Sequence, residues 1–320
     1  MKKILFASTA LVATAGVAAA DVSFGGYGRF GIGYMEDRAL NSSNPTVDAP
    51  DTIIVSRFRL NIDASAETDA GVKFSARVRM QADENADTGE ANAAGLNGAR
   101  FSVEYGGLRV DVGNVAGAID NLPNYYGNEP GLETFMGQYS GANYDFIGYS
   151  SGGAGVNGVY ARYAVGDFAV AAAYDQGAPG TDSDRFDIHA AYTFGNITAA
   201  LAYGETDNGA ADDSDITVLT LGGTWGAFNG TLIVGDESIA GNVGQSDTFY
   251  GISAAYDVSS ATTINFAYGD GSGDGDTRNI GLGVIHDLGG GVSLRGGIGE
   301  SKVGNNDGVM RADFGAQFSF

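Results

Sequence analysis

Segments of about ten residues with alternating apolar and polar side chains recur along the chain, joined by connections that are short, then long, then short again. A period of two sends successive side chains to opposite faces of a strand, so every segment carries one apolar and one polar face. The last segment shows the pattern: Met310, Ala312, Phe314, Ala316, Phe318 and Phe320 form one row, and Arg311, Asp313, Gln317 and Ser319 form the other. A soluble sandwich would have to cover those apolar rows with a second sheet. A barrel closed in an outer membrane turns them to lipid, with tight turns at one rim and long loops at the other.

The N-terminus agrees with export. Lys2 and Lys3 precede an apolar run from Ile4 to Val17, and Ala18, Ala19 and Ala20 follow, which is the grammar of a cleaved signal peptide over residues 1–20. No later stretch is long and apolar enough for a spanning helix, so the expected mature unit is a single barrel domain over residues 21–320. Loss of the two lysines takes the formal charge from -22 to -24, which disfavours a nucleic-acid partner. The chain has 52 glycines and no cysteine, so cohesion rests on closed backbone pairing rather than on disulfides or a large apolar core.

Strands are expected at about 22–34, 52–66, 72–82, 98–105, 108–114, 156–165, 168–175 and 185–194, and again at 197–204, 215–225, 228–235, 247–256, 263–269, 277–286, 291–299 and 309–320. The fold class is therefore all-β: a 16-stranded antiparallel transmembrane barrel. Gly106-Gly107, Gly166-Asp167 and Gly195-Asn196 suit tight reversals. Aromatic residues on the apolar rows, among them Tyr34, Tyr105, Tyr174, Phe194, Tyr203, Trp225, Tyr256 and Tyr268, collect near strand ends as an interfacial girdle. Residues 142–150 also alternate, but an extra strand there would break the order of short and long connections, so they belong to the third long loop.

Cations are unevenly placed. Arg29, Arg57, Arg59, Lys73, Arg77, Arg79, Arg100 and Arg109 all fall on the polar row of the first five strands, giving the lumen a basic arc. A turn near Asp69 pairs residues whose numbers sum to about 138, setting Arg59 opposite Arg79. Like charges facing each other are costly, and a water-filled, electrostatically organised channel justifies the arrangement better than stability does. The long loop at 115–155 carries Asp120, Glu129, Glu133 and Asp145 with no Lys or Arg, together with Leu122, Tyr125, Tyr126, Leu132, Phe135, Met136 and Tyr139. Such apolar mass argues for an inward fold, with the carboxylates opposite the arginine arc and a transverse field across the constriction.

The leader, the opening Val22-Ser23-Phe24-Gly25-Gly26-Tyr27-Gly28-Arg29, the Ala191-Tyr192-Thr193-Phe194-Gly195-Asn196 turn, Asp287-Leu288-Gly289-Gly290-Gly291 and the closing Ala316-Gln317-Phe318-Ser319-Phe320 together resemble Gram-negative general diffusion porins of the alphaproteobacterial type. The resemblance implies an outer-membrane homotrimer, an inward-folded third loop and passive diffusion of small hydrophilic solutes and ions. It also implies that Phe320 belongs to the signal read by the barrel-insertion machinery. The Pro-Glu-Phe-Gly-Gly-Asp motif of enterobacterial relatives is absent, and Asn128-Glu129-Pro130-Gly131 does not replace it.

Other classes have less support. Gly269-Asp270-Gly271-Ser272-Gly273-Asp274-Gly275-Asp276 offers oxygen donors for Ca²⁺ but lacks the Glu and the repeats of known calcium motifs, so no cofactor is required and Ca²⁺ in the acidic loops stays open. His189 and His286 have no Ser or Asp partners at hydrolase spacing, so no enzyme activity is expected. A substrate-selective channel shares the fold and differs only in its constriction. A barrel-based surface receptor or adhesin would act through its loops instead.

Overall fold

The computed structural model describes residues 21–38, 49–86, 89–177, 183–209, 212–241, 244 and 247–320, so the expected signal peptide lies outside the described residues. The strands are β1 (Asp21–Met35), β2 (Thr52–Glu67), β3 (Lys73–Asp83), β4 (Gly95–Leu96), β5 (Arg100–Tyr105) and β6 (Leu108–Gly113). Then come β7 (Gly158–Val165), β8 (Phe168–Asp175), β9 (Asp184–Phe194), β10 (Ile197–Asp207), β11 (Ser214–Trp225) and β12 (Phe228–Ser238). The last are β13 (Thr248–Asp257), β14 (Thr262–Gly271), β15 (Thr277–Gly289), β16 (Val292–Val303) and β17 (Val309–Ser319).

Sixteen of these make the wall. The other, β4, is a two-residue stretch of the second long loop that pairs with the end of β3. Every neighbouring pair is antiparallel, and β1 pairs with β17 from Tyr27–Ser319 to Met35–Arg311, so the sheet closes on itself and has no free edge. That closure satisfies the backbone in hydrocarbon, where water cannot. Gly26 and Phe320 exchange backbone hydrogen bonds at 2.9 and 3.1 Å, sealing the seam at the short-turn rim.

The expected alternation holds around the wall. Phe24, Ile54, Phe101, Leu201, Ile252, Leu282 and Phe314 point outward and are exposed, as a lipid-facing belt must be. Gly106 and Gly107 adopt φ of 56° and 87°, the left-handed pair that a two-residue hairpin requires and that only glycine takes cheaply. No strand forms within residues 142–150.

Two expectations need correction. Several strands run farther toward the long-loop rim than the apolar rhythm indicates: β10 reaches Asp207, β12 Ser238 and β16 Val303. Alternation reports the thickness of the apolar belt, whereas backbone pairing continues into water. The β2–β3 register is also two residues off, because the turn spans Thr68 to Val72 and the partners are Arg57–Asp83, Arg59–Gln81, Asn61–Arg79 and Asp63–Arg77. Arg59 therefore does not face Arg79. A slip of two keeps every side chain on its face while changing every partner. Like-charged partners occur elsewhere, at Arg29–Arg57, Arg77–Arg100 and Arg109–Arg162.

Candidate functional site

The third long loop, between Gly113 and Gly158, lies inside the barrel, packed mainly against β7 to β13, with Leu132 also reaching Ile53 and Val55 of β2. The inward rows of β9 to β13 are small or apolar there: Ala191, Ala200, Ala202, Ile216, Val218, Ile233 and Phe249 enclose Ile119, Leu122, Tyr125 and Tyr144 of the loop. Val115, Ala118 and Ile147 pack likewise on Tyr160, Ala171 and Ala173. Each large apolar side chain removed from lumen water contributes roughly 1.5–3 kcal/mol, which is the force that draws the loop inward.

The loop has no regular secondary structure, so its backbone polar groups need other partners. Wall side chains supply them. Asp187 on β9 accepts the N–H groups of Ala118 and Ile119 at 2.9 and 3.2 Å, and Asp313 on β17 accepts those of Leu132 and Glu133 at 2.8 and 2.7 Å. Glu237 on β12 accepts those of Asn143 and Tyr144 at 2.8 and 3.0 Å. His189 donates to the Ala118 carbonyl at 2.6 Å, Thr220 to Pro123 at 2.6 Å, and Asn265 to Glu129 at 2.6 Å. On β15 and β16 the loop backbone touches the wall, and a Cβ on Gly297 would sit 2.7 Å from the Gly131 nitrogen.

The expected basic residues occupy different environments. Arg29 is only 6% exposed and donates to the Leu132 carbonyl at 3.1 Å, so it clamps the loop instead of lining water. Arg57 binds Asp83, Arg77 grips Asp63 through two bonds of 2.6 and 3.0 Å, and Arg109 pairs with Asp111 at 2.9 Å and Glu104 at 3.7 Å. Arg100 stands 3.9 Å from Asp111. Lys73 is exposed at the short-turn rim, opposite Glu67 and Glu104. Among the described residues Arg59 and Arg79 bind only neutral acceptors, Gln81 at 2.6 Å and Asn61 at 2.8 Å, and each also reaches Ser151.

The loop carboxylates do not form one row. Asp120 accepts from Tyr126 and Glu129 accepts from Tyr139 at 2.8 Å, within an aromatic cluster in which Tyr125 stacks on Tyr139 with ring centres 5.5 Å apart. Burial raises the Glu129 carboxyl above its usual range, and burial with the nearby Glu84 charge does the same for Glu133. Glu133 alone stands near the arc, 4.0 Å from Arg29. Asp145 departs from the expected row: its side chain is 96% exposed and pairs with Arg185 of β9 at 3.4 Å.

Several participants escape a sequence reading confined to the first strands. Closure brings β16 and β17 beside β1, adding Arg295, bonded to Ser293 at 3.1 Å, and Arg311, lying over Phe135 at 5.1 Å. Both lie on the polar rows, so their face is readable, but their nearness to Arg29 follows from the seam. The anchors Asp187, Glu237 and Asp313 are also on polar rows, with nothing local to distinguish them from solvated acids. Among the described residues no group of three or more His, Cys, Asp or Glu is arranged to hold a metal ion.

The comparisons with known proteins bear on the whole barrel. Residues 7–306 match a family described as Gram-negative porin. The chain is 33% identical to a porin of Fuscovulum blasticum over 314 residues, covering 94% of this chain and all of that one. It is 29% identical to a porin of Rhodobacter capsulatus over 292 residues, covering 83% and 93%. A solved mutant of the Rh. blastica porin superimposes with a TM-score of 0.77 at 29% identity, and a second with 0.78 at 28%, each covering 94% of this chain and all of its own. With a closed sixteen-strand wall, a lipid-facing belt and a loop packed inside the lumen, the chain belongs to the Gram-negative porins, general diffusion channels of the outer membrane.

Proposed function

We propose that the barrel works as a homotrimer whose lumens pass small hydrophilic solutes and ions through a polarised constriction. The observation that carries this reading is the anchoring of the third loop inside the lumen by Asp187 on β9, Glu237 on β12 and Asp313 beside the β1 seam, while Arg59 and Arg79 of β2 and β3 keep only neutral acceptors among the described residues. Arg59 and Arg79 supply the positive side. Glu129 and Glu133 supply the negative side, with Asp120 behind them. A dipolar solute orients between such charges, and a large apolar one loses hydration without compensation.

The remaining basic residues shape this field in pairs. Arg57, Arg77 and Arg109 carry carboxylate partners and so contribute dipoles more than net charge. Phe320, exposed at the seam and stacked on Phe58 with ring centres 5.8 Å apart, would serve as the barrel-insertion signal. No cofactor enters this scheme and no covalent chemistry is catalysed. Occupancy of the acidic outer loops by Ca²⁺ would add rim stability without touching the solute path.

Planar bilayers test the proposal directly. Ohmic currents that appear in three equal steps are expected from reconstituted protein. A folded barrel that carries no current would sink the channel reading, and single steps would sink the trimer.

A further inference from the structure

We propose that a cavity at the long-loop rim is a binding site for a neutral polyol the size of a monosaccharide. It measures about 330 Å³, within the range of small-molecule sites, and lies between the third loop and the rim ends of β9 to β11, outside the constriction. Three strands supply one wall: Arg185, Thr206 and Ser214 are cross-strand partners in a single inward row over β9, β10 and β11. The third loop supplies the other through Tyr144 and Asp145, and Asn208 stands just past the end of β10. The next row down the lumen holds Asp187, Gly204 and Ile216. A Cβ on Gly204 would meet the Tyr144 ring at 3.3 Å, so the cavity is closed from below.

The lining is already ordered, which lowers the entropy lost on binding. Glu237 accepts the N–H groups of Asn143 and Tyr144, fixing the loop, and the Tyr144 and Thr206 hydroxyls lie 3.0 Å apart. The Ser214 hydroxyl accepts from the Ala240 N–H at 2.9 Å, and the Asn208 amide donates to the Asp212 carbonyl at 3.1 Å.

The chemistry of these groups selects the ligand. Hydroxyls and carboxamides both donate and accept, as the hydroxyls of a sugar do. Asp145 only accepts: its side chain is 96% exposed and its contact with Arg185 is 3.4 Å long, so its oxygens are open to a pair of adjacent hydroxyls. Ile239 offers an aliphatic surface to the C–H face of a ring. Anions are disfavoured, because the Arg185 charge is met at 2.8 Å by the buried Asp175 and Asp145 adds a second carboxylate. A bare metal ion finds no group of three or more His, Cys, Asp or Glu among the described residues. A neutral solute rich in donors fits what is left open.

The test is a titration of the folded barrel in detergent with glucose, followed by saturation-transfer NMR on the sugar, which needs no conducting channel. Glucose should saturate the site at roughly millimolar concentration, the affinity that modest contacts to about a dozen non-hydrogen atoms provide. Asp145→Ala should raise the half-saturating concentration about tenfold, through lost hydrogen bonds to a charged acceptor, and Asn208→Ala about threefold. Asp236→Asn removes an exposed rim carboxylate outside the cavity and should shift it less than about twofold. Gluconate should bind at least about threefold more weakly than glucose, because it brings a like charge.

A signal that rises linearly with glucose would overturn the site. Equal shifts in Asp145→Ala and Asp236→Asn would overturn it as well, since rim charge in general would then govern binding. So would displacement of glucose by an equal concentration of methylammonium, because a charge without hydroxyls would then suffice. Currents in planar bilayers are read separately, so failure of the polyol site and failure of the channel are distinguishable.

Discussion

The inner wall is built in two ways. From β1 to β6 its inward rows are rich in Arg, Asp, Gln and Asn, mostly half-exposed and cross-linked by ion pairs; from β8 to β14 they are mainly Ala, Gly, Val, Ile and Thr with a few polar anchors such as Asp187 and Glu237, buried beneath the third loop. Both arcs obey the same alternation and carry the same apolar outer row. The difference shows that a lumen-facing position is not a single environment. One arc faces water and organises charge. The other is a protein core in miniature, in which buried carboxylates receive the loop's N–H groups much as they would in a soluble interior.

Breaking the buried arc should have the largest effects. Asp187→Ala removes the acceptor of two loop N–H groups, at roughly 1–3 kcal/mol for each donor left unsatisfied. The expected outcome is faster protease cleavage within residues 115–155 and noisier open-channel current, with the barrel itself still folded. Unchanged cleavage would mean that the apolar contacts alone hold the loop. Gly297→Val comes next: its Cβ meets the Gly131 nitrogen at 2.7 Å, and overpacking of this kind costs about 1–3 kcal/mol. The loop should move toward the arginines and single-channel conductance should fall.

Changes in the charged arc should spare the fold and move selectivity. Replacing Arg59 and Arg79 by Gln should shift the reversal potential toward cations more than replacing Arg57 and Arg77, because the second pair is already compensated by Asp83 and Asp63. Equal shifts would erase the distinction between paired and unpaired arginines.

The smallest expected effect is on pH dependence. Burial lifts Glu129 and Glu133 above the usual 4.5, so the folded loop holds these protons more tightly than the unfolded chain does. Loop packing is therefore favoured as pH falls through the window just above that value, and weakened as pH rises through it. Cation preference should begin to fall at a higher pH than exposed carboxylates would give, and Glu133→Gln should remove part of that early fall. Reversal potentials measured down a pH series decide it.

How much of this is legible in the sequence differs by residue. Arg59 and Arg79 are identifiable as inward-facing from parity alone, as are Asp187 and Asp313. That Arg59 faces Gln81 is not, because moving a turn centre by one residue moves every partner by two. Arg29 reads as a lumen cation and is in fact a buried clamp, since its environment is supplied by Leu132, far along the chain. Asp145 reads as one more loop acid and lies on the wrong side of the loop to face the arc.

The sequence by itself determines the sixteen-strand wall, the two rims and the face of each side chain, because a two-residue period follows from local backbone geometry and survives slips of two. Only the tertiary structure decides which inward residues meet water and which arginines keep an unanswered charge. Those outcomes depend on barrel closure at β1 and β17, on the register at each turn, and on where a long loop finds apolar surface to cover, all contacts between residues distant in the chain.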